Sequence, residues 1–479
     1  MTCNPRLFRA GSIWTLRMKG LAALAAPMVA SLALAASVPA TAGAQLPAGF
    51  SIQKADDWTN LLDRHHGWTG ADGIFAIPLS GYEGPDHAAT TKTLFVFSDT
   101  FIGDVDLVSH ARKNAVMIHN SLAVLTGADP DSSKMRFIWG GTGLSGSGSG
   151  SAGAASAFTP NTPATQGKQA WYWLQDGFCH KGVVYDLPLI VEPDSTGTAG
   201  FKFKETGIGL IRIPLNGDGE PDMAQATQKD TPLFHTGTKS FYFGCGIFAN
   251  TAEAGAPDPD DSVYVYGRNS LYVARVQVDE FEDFSKWRYW DGRGWTADID
   301  KAGSLGLGGP ELSVMPILQG ALKGKYVLTS SMVGPDLYVR IGDSPVGPFG
   351  NAINIYKAPE WDTAVPIYTY NAKAHPSLSS NGDWIVTYNV NTSNWNRNLA
   401  DADIYRPRFL RMRFDPVSAI LLPSGKERNG KNPAGVNAQS YPAGGAAGWE
   451  ALWGGPWNGY RLDGRQEQLS RKSPAITRP

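Results

Sequence analysis

Charge and cysteine are the scarcest commodities in this chain. Of its 479 residues only 18% are charged, below the usual quarter, and 42 Lys+Arg against 44 Asp+Glu leave a formal net charge of −2. No cationic excess exists to neutralise a phosphate backbone, which excludes nucleic acid as a partner. Three cysteines, none in a CxxC or His-rich spacing, exclude a structural zinc site. Capped helical periodicity is almost missing. So are the G-x-S-x-G elbow, the Walker loop, HExxH, and any GxGxxG followed by a helix. No stretch beyond the N-terminal 44 residues approaches the roughly 20 apolar residues that cross a bilayer. Turn formers and aromatics are plentiful instead: Gly 55, Pro 32, Trp 15, Tyr 17 and Phe 20. With 42% hydrophobic residues the chain can bury a sizeable core, and the mix points to β structure with carbohydrate-like partners.

Residues 1–44 read as an address. They hold Arg6, Arg9, Arg17 and Lys19 and no acid, then LAALAAPMVASLALAASVPA, then Ala42 and Ala44 in the small-x-small pattern of signal peptidase. A membrane anchor is the other reading, disfavoured by Pro27 and the cleavage-type ending. The expectation is a secreted or periplasmic protein with no membrane association once the signal is removed. Cys179 and Cys245 would remain, an even number in an exported chain. A disulfide between them would close a loop of 67 residues, for roughly 4 kcal/mol in the chain-entropy model. Two buried free thiols are the alternative.

From Gly67 onward the sequence breaks into short β-branched and aromatic runs between Gly, Asp, Asn and Pro. Examples are GIFAIPL (73–79), TLFVFSDTFIG (93–103), NSLAVLTG (120–127), AWYWLQDG (170–177) and VVYDLPLIVE (183–192). Alternation in LFVFSD and LYVARV is the period-2 mark of strands with one face buried. YVYGR–SLYVARV, YVLTSS–DLYVRI and WIVTYNVN–RFLRMRF each pair two strands across a short polar connection. Repeated antiparallel units of this kind fit an all-β fold, a five-bladed β-propeller, better than a barrel. The organisation expected is a lead-in at 45–64, a propeller over 65–422 and an irregular tail at 423–479. Residues 140–169, rich in Gly, Ser and Ala, read as a flexible insertion. Trp449, Trp453 and Trp457 in the tail would dock on the propeller.

Asp72 stands just before one strand and Asp99 at the end of the next. If 73–79 and 93–98 pair as an antiparallel hairpin, the two acids become near-opposite neighbours. Two carboxylates so placed can flank a glycosidic bond. In a partly dry cleft one becomes a proton donor and the other stays a base or nucleophile. Gly70 and Gly73 allow close approach of a substrate, and Trp68, Phe75, Phe97 and Phe101 surround the pair. The bland alternative is turn capping or a structural calcium ion; no other cofactor is implied. Further candidates for contacting sugar hydroxyls lie at strand ends: His119, Asn120, Asp176, Arg268, Asn269, Asn371, Lys373, His375, Asn389, Asn391, Tyr405, Arg406 and Arg408. For each alone, a blade-to-blade hydrogen bond is the competing role. Glu311 is a third carboxylate with nothing pairing it in sequence.

GWTGADGIFAIPL followed by LFVFSDTFIG resembles the opening motif of a bacterial secreted family that includes endo-D-arabinanases. The resemblance continues through VYGRNSLYVARV, DSPVGPF, YTYNAKAHPSLS, WIVTYNVNTS and ADIYRPRFL, most of 65–414. It implies a five-bladed propeller glycoside hydrolase acting on the D-arabinan of arabinogalactan, with the two catalytic aspartates at Asp72 and Asp99. A longer hairpin loop, GYEGPDHAATTK, and the Gly/Ser insertion depart from the pattern and bear on the cleft. The rival expectations are a non-catalytic glycan-binding propeller and a hydrolase of another furanoside such as L-arabinan or fructan. In either case the partner is a polysaccharide or oligosaccharide and the protein a monomer.

Overall fold

The computed structural model describes residues 50–414 apart from 89–90, 142–152, 198–201, 238, 269 and 380–381. The signal peptide, residues 45–49 of the lead-in and the tail expected from sequence lie outside the described residues, as does Asn269. The described part belongs to one unit, Leu46–Pro479, and none of its helices is long and apolar enough to cross a membrane. It is all-β, with only two α-helices, Asp56–Leu61 and Trp395–Ala400.

Among the described residues, five antiparallel sheets of four or more strands follow one another. The first is Phe75–Pro78, Lys92–Phe97, Ser121–Thr126 and Met135–Ile138. The second runs from Gly177–His180 through Val183–Asp186 and Phe203–Pro214 to Thr227–Asp230. The third holds Ser240–Asn250, Ser262–Gly267 and Tyr272–Gln277, extended at both edges. The fourth is Leu312–Pro316, Tyr326–Ser330, Asp336–Gly342 and Ile353–Lys357. The fifth joins Ile367–His375, Asp383–Thr392 and Arg408–Phe414 to a strand from the other end of the chain, Phe50–Lys54, in the register Phe50↔Phe414 to Lys54↔Leu410. The three strand pairs expected from YVYGR–SLYVARV, YVLTSS–DLYVRI and WIVTYNVN–RFLRMRF are all formed.

The inner strand of each sheet lies beside the inner strand of the next: Phe75–Pro78 by Gly177–His180, then Ser240–Asn250, Leu312–Pro316 and Ile367–His375. Lys373, on the last of these, donates to Ile74 O (3.0 Å) and sits 4.3 Å over the Phe75 ring, back at the first. The alternation in LFVF therefore has a different cause from the one expected. Leu94 and Val96 enter the core shared with the second sheet, while Phe95 and Phe97 enter the core facing the fifth. Both faces are buried, because each sheet is packed between two others.

Two expectations are corrected. Cys179 and Cys245 are both free and buried. The first contacts Leu79 O in the core between the first two sheets, and the second contacts Tyr266 O in the core around the fourth, so no bridge joins them. Residues 153–169 are not a loose half of an insertion. Phe158, Thr162 and Thr165 are buried, and Ala154–Ala155 pairs with Gly140–Gly141. Phe158 supplies the apolar anchor that holds this stretch against the first core.

Candidate active site

The first sheet does not end at the two acids. Its strands Phe75–Pro78 and Lys92–Phe97 continue into a second ribbon, His66–Ala71 with Thr100–Val105, which stands above it and takes Arg112–Ile118 as a third strand. Asp72 and Asp99 occupy the joint between the ribbons. Asp72 N donates to Asp99 O (3.2 Å), and Ser98 N donates to Asp72 O (3.0 Å). The pair is thus opposed across folded-back chain, as the hairpin expectation required. Gly73 adopts φ +58°, and a Cβ there would lie 2.7 Å from Ser98 Oγ and 3.2 Å from Glu311 Oε1. Only glycine fits this joint.

The environments of the two carboxyls differ. Tyr370 OH donates to Asp72 Oδ2 (2.5 Å), Asn391 Nδ2 donates to the same phenol oxygen (3.1 Å), and Tyr405 adds a second hydrogen bond to Asp72. Burial, then the charge of Asp99, push the Asp72 carboxyl up to about 8, against the pull of those bonds. Asp99 Oδ1 instead lies 2.9 Å from His119 Nδ1 and accepts from Trp173 Nε1 (3.0 Å). Its side chain is 20% exposed and that of His119 42%, so the pair is open to solvent. Asp72 keeps part of its surface accessible as well. A neutral acid beside a hydrogen-bonded carboxylate is the division of labour that acid–base chemistry needs.

A second acidic group adjoins the pair. Glu311 heads the inner strand of the fourth sheet, ion-pairs with Lys373 and accepts from Asn371 Nδ2 (2.8 Å). Burial raises its carboxyl, while Lys373 and then Arg268 oppose the rise. Asp176, at the head of the second sheet, accepts from Ile247 N (2.6 Å) and Gly177 N (2.9 Å), yet burial pushes it up to about 7. The acids thus gather where inner strands begin.

The remaining candidates divide. Tyr405 (φ +67°) and Asn371 (φ +60°), both buried, hold left-handed backbone beside the acids, the kind of local strain found at functional sites. Lys373 is fully buried as the partner of Glu311. Arg268 pairs with Glu205 (2.7 Å). Four others prove structural. Trp68 is 1% exposed and stacked on Phe137, because its position on the upright ribbon faces the core. Asn120 is spent on Phe158 and Tyr172 backbone groups. Arg406 is bound by Thr69 O, Arg64 O and Asp63, and Arg408 by Glu360. His375 bonds Thr387 Oγ1 (2.8 Å) deep in the fold, where burial holds its imidazole neutral. Asn389 is fully buried, with neither side-chain polar atom hydrogen-bonded. The long hairpin loop lies at the other end of the first sheet from the acids, where Glu83 N reaches Ala254 O and Asp86 N reaches Ser379 O. It therefore leaves the acid pair untouched.

The sequence reading missed Tyr370, Trp171 and Trp173. Trp-x-Trp in AWYWLQDG places both indoles on one strand face, and that spacing was the available signal. Among the described residues no three His, Cys, Asp or Glu side chains are grouped to hold a metal. The nearest side-chain partners of Asp72 and Asp99 are hydroxyl and N–H groups, which suit hydrogen bonding to a carboxyl rather than a cation's ligand shell.

The chain is similar in structure to a Bacteroides ovatus protein described provisionally as a hydrolase, with TM-score 0.57 and 19% identity over 76% of this chain and 90% of that one. This likeness is one of fold. Weaker similarity reaches a family-43 β-xylosidase/α-arabinofuranosidase from a compost microbial metagenome, with TM-score 0.37 and 14% identity over 76% and 94%. It also reaches an exo-β-1,3-galactanase from Phanerochaete chrysosporium, with TM-score 0.34 and 12% identity over 73% and 60%. No curated protein sequence matches the chain significantly. A family profile matches residues 55–427, and the chain accordingly belongs to the family described as "Domain of unknown function (DUF5005)".

Proposed function

We propose that this protein is an exported glycoside hydrolase built on a five-bladed β-propeller. Its substrate in this reading is a furanoside polysaccharide, D-arabinan of the arabinogalactan type first. The blade count is supported by five successive sheets with neighbouring inner strands and by the return of Lys373 to Ile74. The observation that carries the activity is the opposed, chemically unequal pair of Asp72 and Asp99. Asp72, neutral at physiological pH, donates its proton to the departing glycosidic oxygen. Asp99, held by His119 and Trp173, attacks the anomeric carbon or takes the proton of an attacking water. The part-exposed indoles of Trp171 and Trp173 beside Asp99 suit stacking on sugar rings.

The test incubates the chain from residue 45 with arabinogalactan, L-arabinan and fructan and follows reducing ends. Asp72→Asn and Asp99→Asn are expected to lose at least a hundredfold in kcat while still binding the glycan. Undiminished hydrolysis in both variants refutes the assignment. Retention of glycan with no product from the unmodified protein favours the non-catalytic rival.

A further inference from the structure

Asp99 is held from two sides: by His119, in the link before Ser121–Thr126, and by Trp173, on the strand Trp171–Trp173 that joins the second sheet through Leu189–Pro193. Asp99 Oδ1 meets two groups, His119 Nδ1 and Trp173 Nε1, which leaves Oδ2 as the oxygen turned to chemistry. The imidazole is located by its stack on Trp171, 4.5 Å between centroids and 19° between planes. Its backbone is located by a different segment. His119 N donates to Ser156 Oγ (2.9 Å), and Ala157 N donates to Asn120 O (3.2 Å). Asn120 Oδ1 accepts from Phe158 N (2.8 Å), while Asn120 Nδ2 donates to Phe158 O (2.8 Å) and Tyr172 O (3.0 Å). Phe158 closes the arrangement by burying its ring, 6% exposed, among core side chains that include Tyr172 and Leu174.

We infer that Ser156–Phe158 form a brace that positions His119, and through it the catalytic carboxylate Asp99. The brace ties the His119–Asn120 dipeptide to the strand bearing Trp171 and Trp173, so both donors to Asp99 are fixed by one set of contacts. Buried, reciprocal side-chain-to-backbone bonds of this kind hold a geometry that a free strand end would not. His119 and Ser156 are positioning residues, since neither touches the scissile bond. The inference rests on the reading of Asp99 as catalytic.

Phe158→Ala releases the anchor, Phe158→Leu restores most of it, and Ser156→Ala removes one bond without disturbing the core. Phe158→Ala is expected to lower kcat on arabinogalactan about tenfold with KM within twofold, because small misplacement acts on the transition state. Ser156→Ala is expected to lose about threefold, and Phe158→Leu to stay within threefold of the parent. A second readout needs no turnover. The His119 Cε1–H resonance, assigned with His119→Gln, should be shifted upfield by the Trp171 ring, and Phe158→Ala should abolish that shift while Asp99→Asn keeps it. Unchanged kcat together with an unchanged His119 resonance in Phe158→Ala overturns the brace. So does lost activity with the resonance still upfield in both Phe158→Ala and Ser156→Ala, which reports general destabilisation. An upfield resonance that responds as expected in a protein with no hydrolysis leaves the brace standing and removes the hydrolase reading alone.

Discussion

At the scale of single residues the most informative group is Asp72. Its carboxyl titrates near 8 in the folded chain, whereas a free aspartate has 3.8. Below pH 4 both folded and unfolded chains carry the proton, and the group contributes nothing. Between 4 and 8 the unfolded carboxyl ionises and the folded one does not, so Asp72 costs stability progressively, and above 8 the cost is complete. Asp72→Asn should therefore raise Tm by about 2–4 °C at pH 8 and leave it unchanged at pH 4. Differential scanning calorimetry across that range checks it, and a uniform gain at all pH values would contradict the linkage. In the proposed reaction the same proton is the one delivered to the leaving oxygen. If Asp72 is the general acid, kcat/KM should fall about tenfold per pH unit above roughly 8, as the acid form is depleted.

Asp72 and Asp99 were legible in sequence because a hairpin needs little more than alternation and turn residues to be read. Their inequality was not legible. It comes from Tyr370 and Tyr405, some 300 positions along the chain, and from Trp173; two arrive on strands and Tyr405 on the loop before Arg408–Phe414, in an order that no local pattern encodes. Trp68 and Arg406 misled for the matching reason. An aromatic or a cation beside a motif can serve the core as well as a ligand, and only the packing of the upright ribbon decides which.

At the scale of elements, the strand Ile367–His375 carries the device that aims its side chains. Its pairing with Asp383–Thr392 slips between Tyr370 and Lys373, and Asn371 takes φ +60° there. The bulge lets Tyr370 reach Asp72 while Asn371 and Lys373 both reach Glu311, which strict alternation would forbid for neighbours 370 and 371 on one side. A β-branched residue tolerates the left-handed region poorly. Asn371→Val should thus cost about 2–3 kcal/mol in urea unfolding. Asn371→Gly keeps the backbone and loses chiefly the bond to Glu311, for about 1 kcal/mol. Equal losses in the two variants would mean that the side-chain bond, not the bulge, matters. The strand pairs were legible from YVYGR–SLYVARV and its relatives. The bulge was not, because YTYNAKAH holds no glycine to mark it.

At the scale of the whole molecule, the first and last described strands meet in one sheet. Phe50–Lys54 is the outer strand against Arg408–Phe414, so the fifth sheet contains both the beginning and the end of the described residues. Phe50 is 7% exposed, 5.2 Å from the Phe414 ring, which in turn lies 4.9 Å from Trp384. The composition reading could not foresee this closure, because FSIQK looks like an unremarkable lead-in and its partner lies more than 350 residues away. A strand that merely covers an edge would fray when weakened, leaving the rest intact. A strand that closes a ring is shared by every sheet, since opening one sheet unpacks its neighbours on both faces. Phe50→Ala deletes a buried ring, for about 3 kcal/mol. If the strand closes the ring, this loss appears in the single global transition, with far-UV circular dichroism and tryptophan fluorescence shifting to the same lower urea midpoint. Amide exchange would then quicken throughout the slowest-exchanging core, including Leu94–Phe97 on the far side of the joint. Faster exchange confined to 50–54 and 408–414, with the global midpoint unmoved, would show that the five sheets hold together without this strand.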